Sequence, residues 1–266
     1  MKKLTLSPIY LLSLVFLAGF SFLVYEVSWF RMLSLVLGAT IKASTVVLAA
    51  FMAGFGAGAW YWGKLSGVRF KPLQLLTGLL IASAVIGFIS YFLINNVIPG
   101  LYSILWKAGI PLTLAEMLVF LLTLVLLFIP AFFMGGILPV VSGILVTTNT
   151  GLSGMLGRIY AWETLGSTLG GMATGFILIR FLGQQNTVFL AVFINIISVL
   201  PLLFFQYQSL IESALPLVKD NQNQIKSRDV KEKENEETRQ KNRFAAILAT
   251  TIFGFTVIGL QVAWFR

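Results

Sequence analysis

Uninterrupted apolar runs of about 20 residues, the length a helix needs to cross the hydrocarbon core of a bilayer, recur along nearly the whole chain. A water-facing domain could not hide so many. In a membrane every backbone N–H and C=O must be satisfied within the protein, which leaves helices or closed barrels. A barrel would show alternating segments of about 10 residues, whereas these runs are continuous. The expected fold class is therefore all-α, a multi-pass transmembrane helical bundle. Charge agrees with this, since 11% of the 266 residues are charged against about 25% in soluble domains.

Seven spans are expected, at residues 8–29 (with an extension through 37), 44–62, 72–93, 112–133, 159–181, 187–207 and 244–264. Met1-Lys2-Lys3 and the apolar run behind it resemble the start of a signal peptide. The run outlasts the roughly 7–15 apolar residues of a cleavable leader, so it reads as an uncleaved first span. Trp29, Trp60, Trp62, Trp106, Trp162 and Trp264 fall near span ends, where an aromatic belt would place them. The organisation expected is a cytoplasmic N-terminus at 1–7, a six-span bundle at 8–207, a charged cytoplasmic linker at 208–243 and a seventh span at 244–266. Residues 219–243 mix Lys, Arg, Glu, Asp, Asn and Gln with no apolar face, as a solvated linker would.

The net charge of +9 follows membrane orientation rather than nucleic-acid binding, and no nucleic-acid partner is expected. With the N-terminus inside, Arg31, Lys42, Lys107, Arg180 and Arg266 lie on the far side or within the membrane. The other basic residues gather on the cytoplasmic side, as the positive-inside rule requires. The chain has no Cys and no His. That removes disulfides, Cys/His metal sites, thiol nucleophiles and Ser-His-Asp triads, and no metal site or cofactor is expected. Carboxylates remain as candidates for any proton or cation path.

Residues 19–31 are repeated at 254–266. Gly19, Phe20, Val27, Trp29, Phe30 and Arg31 match Gly254, Phe255, Val262, Trp264, Phe265 and Arg266 at equal spacing, with Ser21/Thr256 and Glu26/Gln261 as close pairs. Two unrelated apolar helices would not also align Trp-Phe-Arg. Parallel six-span repeats joined by a cytoplasmic linker are the plan of the major facilitator transporters. On that plan the chain holds the first half and the first span of the second, and is expected to be a fragment of a longer protein.

The stretch from Gly19 to Arg31 with Leu33-Ser34-Leu35-Val36-Leu37-Gly38, the segment Met134-Gly135-Gly136-Ile137-Leu138-Pro139, and Gly157-Arg158-Ile159-Tyr160-Ala161-Trp162-Glu163-Thr164-Leu165-Gly166 with the run from Gly170 to Gly183 resemble bacterial fused major facilitator/spermidine synthase-like membrane proteins. The resemblance implies a transporter-like bundle in the bacterial inner membrane, often joined to a soluble aminopropyltransferase-like domain. Two functions follow from it. One is movement of a small solute such as a polyamine; the other is anchoring of a soluble catalytic domain that this chain lacks. A non-transporting scaffold is a third. Glu163 stands where that family commonly has Asn. The loop at 63–71 lacks the Asp of the major facilitators' glycine-and-basic loop. The cluster Gly54-Phe55-Gly56-Ala57-Gly58 lies inside an apolar span rather than after a strand, so it is no nucleotide loop, and no enzymatic residue is assigned.

Candidate path residues are Glu26, Arg31, Glu163 and Arg180. An ionisable group within a span costs about 2.5–3.5 kcal/mol on insertion scales, so it pairs or faces a cavity. Glu26 has Arg31 or Arg180 as prospective ion-pair partners; otherwise it is a ligand or proton site. Glu163 and Glu116 read as acidic residues in the first turns of the fifth and fourth spans, where they would complement the helix dipole; for Glu163 an inner gate or polyamine path is the alternative. Small residues four apart, Gly54 and Gly58 with Ala49, Ala53 and Ala57, and Gly166 and Gly170 with Gly171 and Gly175, mark close helix packing. Pro130 and Pro139, with Gly135 and Gly136 between them, are expected to break the fourth apolar segment. The partners expected are the lipid bilayer, a small cationic amine and the missing second half of the protein.

Overall fold

The computed structural model describes residues 8–38, 40–66, 71–146 and 152–214. The expected seventh span and its repeat lie outside the described residues. Every described element is a helix: α1 (Pro8–Leu37), α2 (Thr40–Leu65), α3 (Pro72–Phe92), α4 (Ile98–Lys107), α5 (Leu112–Gly135), α6 (Ile137–Val146), α7 (Leu152–Ala173) and α8 (Ile179–Ala214). Wide π-turns at Leu93–Val97 and Thr174–Leu178 carry α3 into α4 and α7 into α8 without interruption. The described residues up to Ile211 form one compact unit. Helices α1 to α7 and nearly all of α8 belong to it.

Among the described residues, five helical segments are long and apolar enough to cross a bilayer: Pro8–Leu37, Ile41–Leu65, Pro72–Lys107, Leu112–Leu145 and Gly154–Phe204. The last has 51 residues. At 1.5 Å per residue it would measure roughly 76 Å, more than twice the hydrocarbon thickness. Its geometry changes at Gly183, whose φ of 76° and ψ of 173° are non-helical and lie in a region essentially restricted to glycine. On either side of Gly183 the contacts with α1 run in opposite directions. Before it, Gly166 meets Phe16, Gly170 meets Phe20 and Gly171 meets Leu23, so α7 is parallel to α1. After it, the Gln184 amide donates to the Ser28 carbonyl at 2.8 Å and the Tyr10 hydroxyl donates to the Ser198 carbonyl at 2.9 Å. Residues 184–204 therefore run antiparallel to α1, and the chain reverses at Gly183.

Helix packing in a membrane has little hydrophobic drive and depends on close backbone approach. The two most extensive contacts, α1 with α7 and α2 with α5, are built that way. A Cβ at Gly166 or Gly170 would overlap the carbonyls of Phe16 or Phe20, and one at Gly58 or Gly135 the carbonyls of Phe132 or Phe55. At Gly54 it would lie 2.6 Å from the Ala131 methyl. The alanine stripe on α2 does not share this role: Ala49 and Ala53 are exposed while Gly54 and Gly58 are buried. The stripe's four-residue spacing is right, but the packed face is the one carrying the glycines.

α1 is the centre of the unit. From Leu11 to Phe30 none of its residues is exposed, because α2, α3, α7 and residues 184–204 surround it. Trp29, expected at a membrane interface, is wholly buried, stacked on Tyr25 at 5.4 Å and tilted against Phe51 at 5.8 Å. Pro130 does not break its helix. It lies inside α5, which continues to Gly135; the interruption is the single turn residue Gly136, and Pro139 occupies the first turn of α6, where a missing N–H costs nothing.

Candidate functional site

Apart from Glu116, which forms an exposed pair with Lys42, the described charged residues of the unit are sorted by sign. Every described Lys and Arg (Arg31, Lys42, Lys64, Lys71, Lys107, Arg158 and Arg180) is exposed, whereas Glu26 and Glu163 are held partly buried among the helices. Neither carboxylate makes an ion pair or a hydrogen bond with a described residue. The expected pairing of Glu26 with Arg31 or Arg180 is not formed. Arg31 lies about 140° round the helix from Glu26, and Arg180 turns outward over the Phe181 ring at 5.7 Å.

Glu163 also differs from expectation. α7 begins at Leu152, so Glu163 lies three turns inside the helix and caps nothing. Its carbonyl oxygen is 2.6 Å from where a Cβ of Gly19 would be. The absent side chain at Gly19 is what lets α7 bring Glu163 against α1. Glu163 lines a small cavity with Val15, Ala18, Gly19 and Phe22 of α1, Phe55 of α2, Met134 of α5, and Ile137 and Leu138 of α6. Apart from Glu163, its walls are apolar.

Glu26 continues the same stripe of α1. Val15, Gly19, Phe22 and Glu26 are spaced four, three and four apart, which aligns them on one helix face. Seven residues separate Gly19 from Glu26, about 10 Å along the axis. Glu26 therefore stands one turn beyond Phe22 on the same face of α1 that lines the cavity of Glu163. Both π-turns, Leu93–Val97 and Thr174–Leu178, also pack on α1. Such turns free a backbone carbonyl from the helical ladder and concentrate at functional sites.

Sequence reasoning missed three features. One is the ion pair between Lys42 Nζ and Glu116 Oε2 at 2.7 Å, which joins the first turn of α2 to the second turn of α5, so Glu116, like Glu163, is not in a first helical turn. The pair could not be read because it depends on α2 and α5 being parallel neighbours. The second is the pair of side-chain bonds that fasten residues 184–204 to α1. The third is Asn195, wholly buried; a lone Asn in an apolar span was the available signal. Among the described residues no group of three or more Asp and Glu is placed to hold a metal ion.

Compared with family models, with curated proteins and with solved structures, this chain matches none of them.

Proposed function

We propose that this chain is the first half of a major facilitator-like transporter of a small cationic solute in the bacterial inner membrane, with its N-terminus in the cytoplasm. The observation that carries the reading is the charge sorting: Glu163 lines an apolar cavity, Glu26 stands on the same face of the central helix, and every described basic residue is exposed. A carboxylate in a span without a counter-charge is costly, and a cationic ligand would offset that cost. The rise of about 10 Å along α1 from Gly19, where α7 brings in Glu163, to Glu26 suits a linear amine carrying two charges, its methylenes lying on Phe22. The polyamine class that the resemblance implies has that form. The reversal at Gly183 divides the longest apolar segment in two and brings the number of proposed crossings to six. The two principal pairs, α1 with α7 and α2 with α5, exchange with one another if spans one to three are overlaid on spans four to six. Inverted three-span repeats of that kind are a feature of each major facilitator half.

The test is uptake of radiolabelled putrescine and spermidine into proteoliposomes holding the intact protein. Saturable uptake, lost in Glu26→Gln and Glu163→Gln with insertion unchanged, is the expected result. Uptake that survives both substitutions would remove the carboxylates from the site. No flux of any amine would leave the anchoring role for a soluble spermidine synthase-like domain.

A further inference from the structure

The cavity beside Glu163 is small. The space in it open to the centre of a water-sized sphere is about 10 Å³, and by that measure about 10–15 Å³ holds a single water. Its walls are packed from behind. Ala18, Met134 and Ile137 are buried, and Phe22 and Phe55 meet edge to face at 6.1 Å. Phe55 is stacked in turn on Phe51 at 6.0 Å, so neither ring can swing aside without displacing another.

Three kinds of guest have the size of that space. A buried water needs about two to four polar partners, and the lining side chains supply one, Glu163. A metal cation gives up its hydration only to several oxygens, and the lining holds a single carboxylate. A primary ammonium head suits it better. Its charge is opposite to that of Glu163, and the two carboxylate oxygens can accept from its N–H donors together. The carbon chain behind the head belongs with apolar walls. Phe22 and Phe55 add aromatic surface, which attracts a cation.

We propose that the Glu163 cavity receives one primary ammonium group at a time and refuses N-methylated heads for want of room. This rests on the reading that the bundle binds a cationic amine, and narrows it to amines with an unsubstituted –NH₃⁺ end. Each N-methyl group is close to water in size, so a trimethylammonium head exceeds the space several times over. It also has no N–H to give the carboxylate. The stem of the ligand leaves past Phe22 toward Glu26, one turn further along α1.

The experiment is competition against radiolabelled putrescine bound to the intact protein in lipid nanodiscs, with butylammonium and butyltrimethylammonium as competitors. The two share charge and stem and differ at the head. Butylammonium is expected to compete at least about tenfold better, as a pocket that discriminates by size allows. In Ile137→Ala, whose shorter side chain enlarges the cavity, that preference is expected to fall below about threefold. Glu163→Gln is expected to weaken butylammonium at least about tenfold through loss of the charge pair. Equal competition by the two heads in the unsubstituted protein would overturn the proposal while leaving the amine reading in place, and this requires no variant to fold. So would an unchanged preference in Ile137→Ala. Absence of any putrescine binding would remove the amine reading itself, and the proposal with it.

Discussion

Gly166 of α7 lies directly against the backbone carbonyl of Phe16 of α1, with no room for a Cβ between them. Gly157, on the same helix, has nothing within 4 Å. Gly166→Ala is therefore expected to push α7 away from α1 at a cost of about 1–3 kcal/mol, the range for overpacking. Gly157→Ala is expected to be neutral or to stabilise by about 0.5–1 kcal/mol through helix propensity. Thermal unfolding of the two variants in detergent, followed by size exclusion, reads the difference.

The bond from Gln184 to the Ser28 carbonyl of α1 and the bond from Tyr10 of α1 to the Ser198 carbonyl hold residues 184–204 near its two ends. Each is a neutral side chain on a backbone carbonyl, and such bonds in membrane bundles average about 0.6 kcal/mol. Tyr10→Phe and Gln184→Leu are each expected to lose an amount of that order. The sites are some 14 residues apart on the leg, so the losses should add in the double variant. Denaturation in mixed detergent micelles measures this.

Lys42 and Glu116 form an exposed pair, and exposed pairs contribute about 0–1 kcal/mol. Glu116→Gln is expected to cost less than about 1 kcal/mol, and high salt should abolish the difference from the unsubstituted protein. A double-mutant cycle with Lys42→Met at two ionic strengths checks both statements.

Gly183 holds backbone angles that a side chain cannot adopt without strain. Gly183→Ala is expected to destabilise the unit by about 1–3 kcal/mol. If the chain reverses there, both ends of the 154–204 segment lie on the same side of the membrane. Because the chain contains no Cys, single cysteines can report this without interference. Cysteines at Arg158 and Phe204 should be labelled by an impermeant maleimide from the same face, and one at Gln185 from the other.

The number and approximate place of the apolar helices were legible because bilayer thickness fixes a length that sequence reveals directly. Which face of each helix turns inward was not. A helix that is apolar all round, as α1, α3 and α5 are, carries almost no amphipathic signal, so Trp29 reads as an interfacial residue although it belongs to the core. Glu163 was misplaced for a related reason. The apolar run that defines a span begins at Ile159, but α7 begins at Leu152, and what looks like a first turn is a third. The glycines were legible as packing positions, while the partner each one meets came only with the helix order. Glu26 stood out as a charge in an apolar run. That Glu163 comes to the same face of α1 depends on Gly19 meeting α7, a relation between positions 144 residues apart.

The enclosure of α1 bears on the order of synthesis. Phe16 leaves the ribosome 150 residues before Gly166, the residue that covers it. At about 5–20 residues per second that interval lasts on the order of ten seconds or more. For that time the first helix, with Glu26 at its middle, sits in the bilayer without the neighbours that later wrap it. Its final partners arrive last, so the bundle is built from its centre outward, and a factor that shelters a nascent helix carrying a lone carboxylate would act in that window.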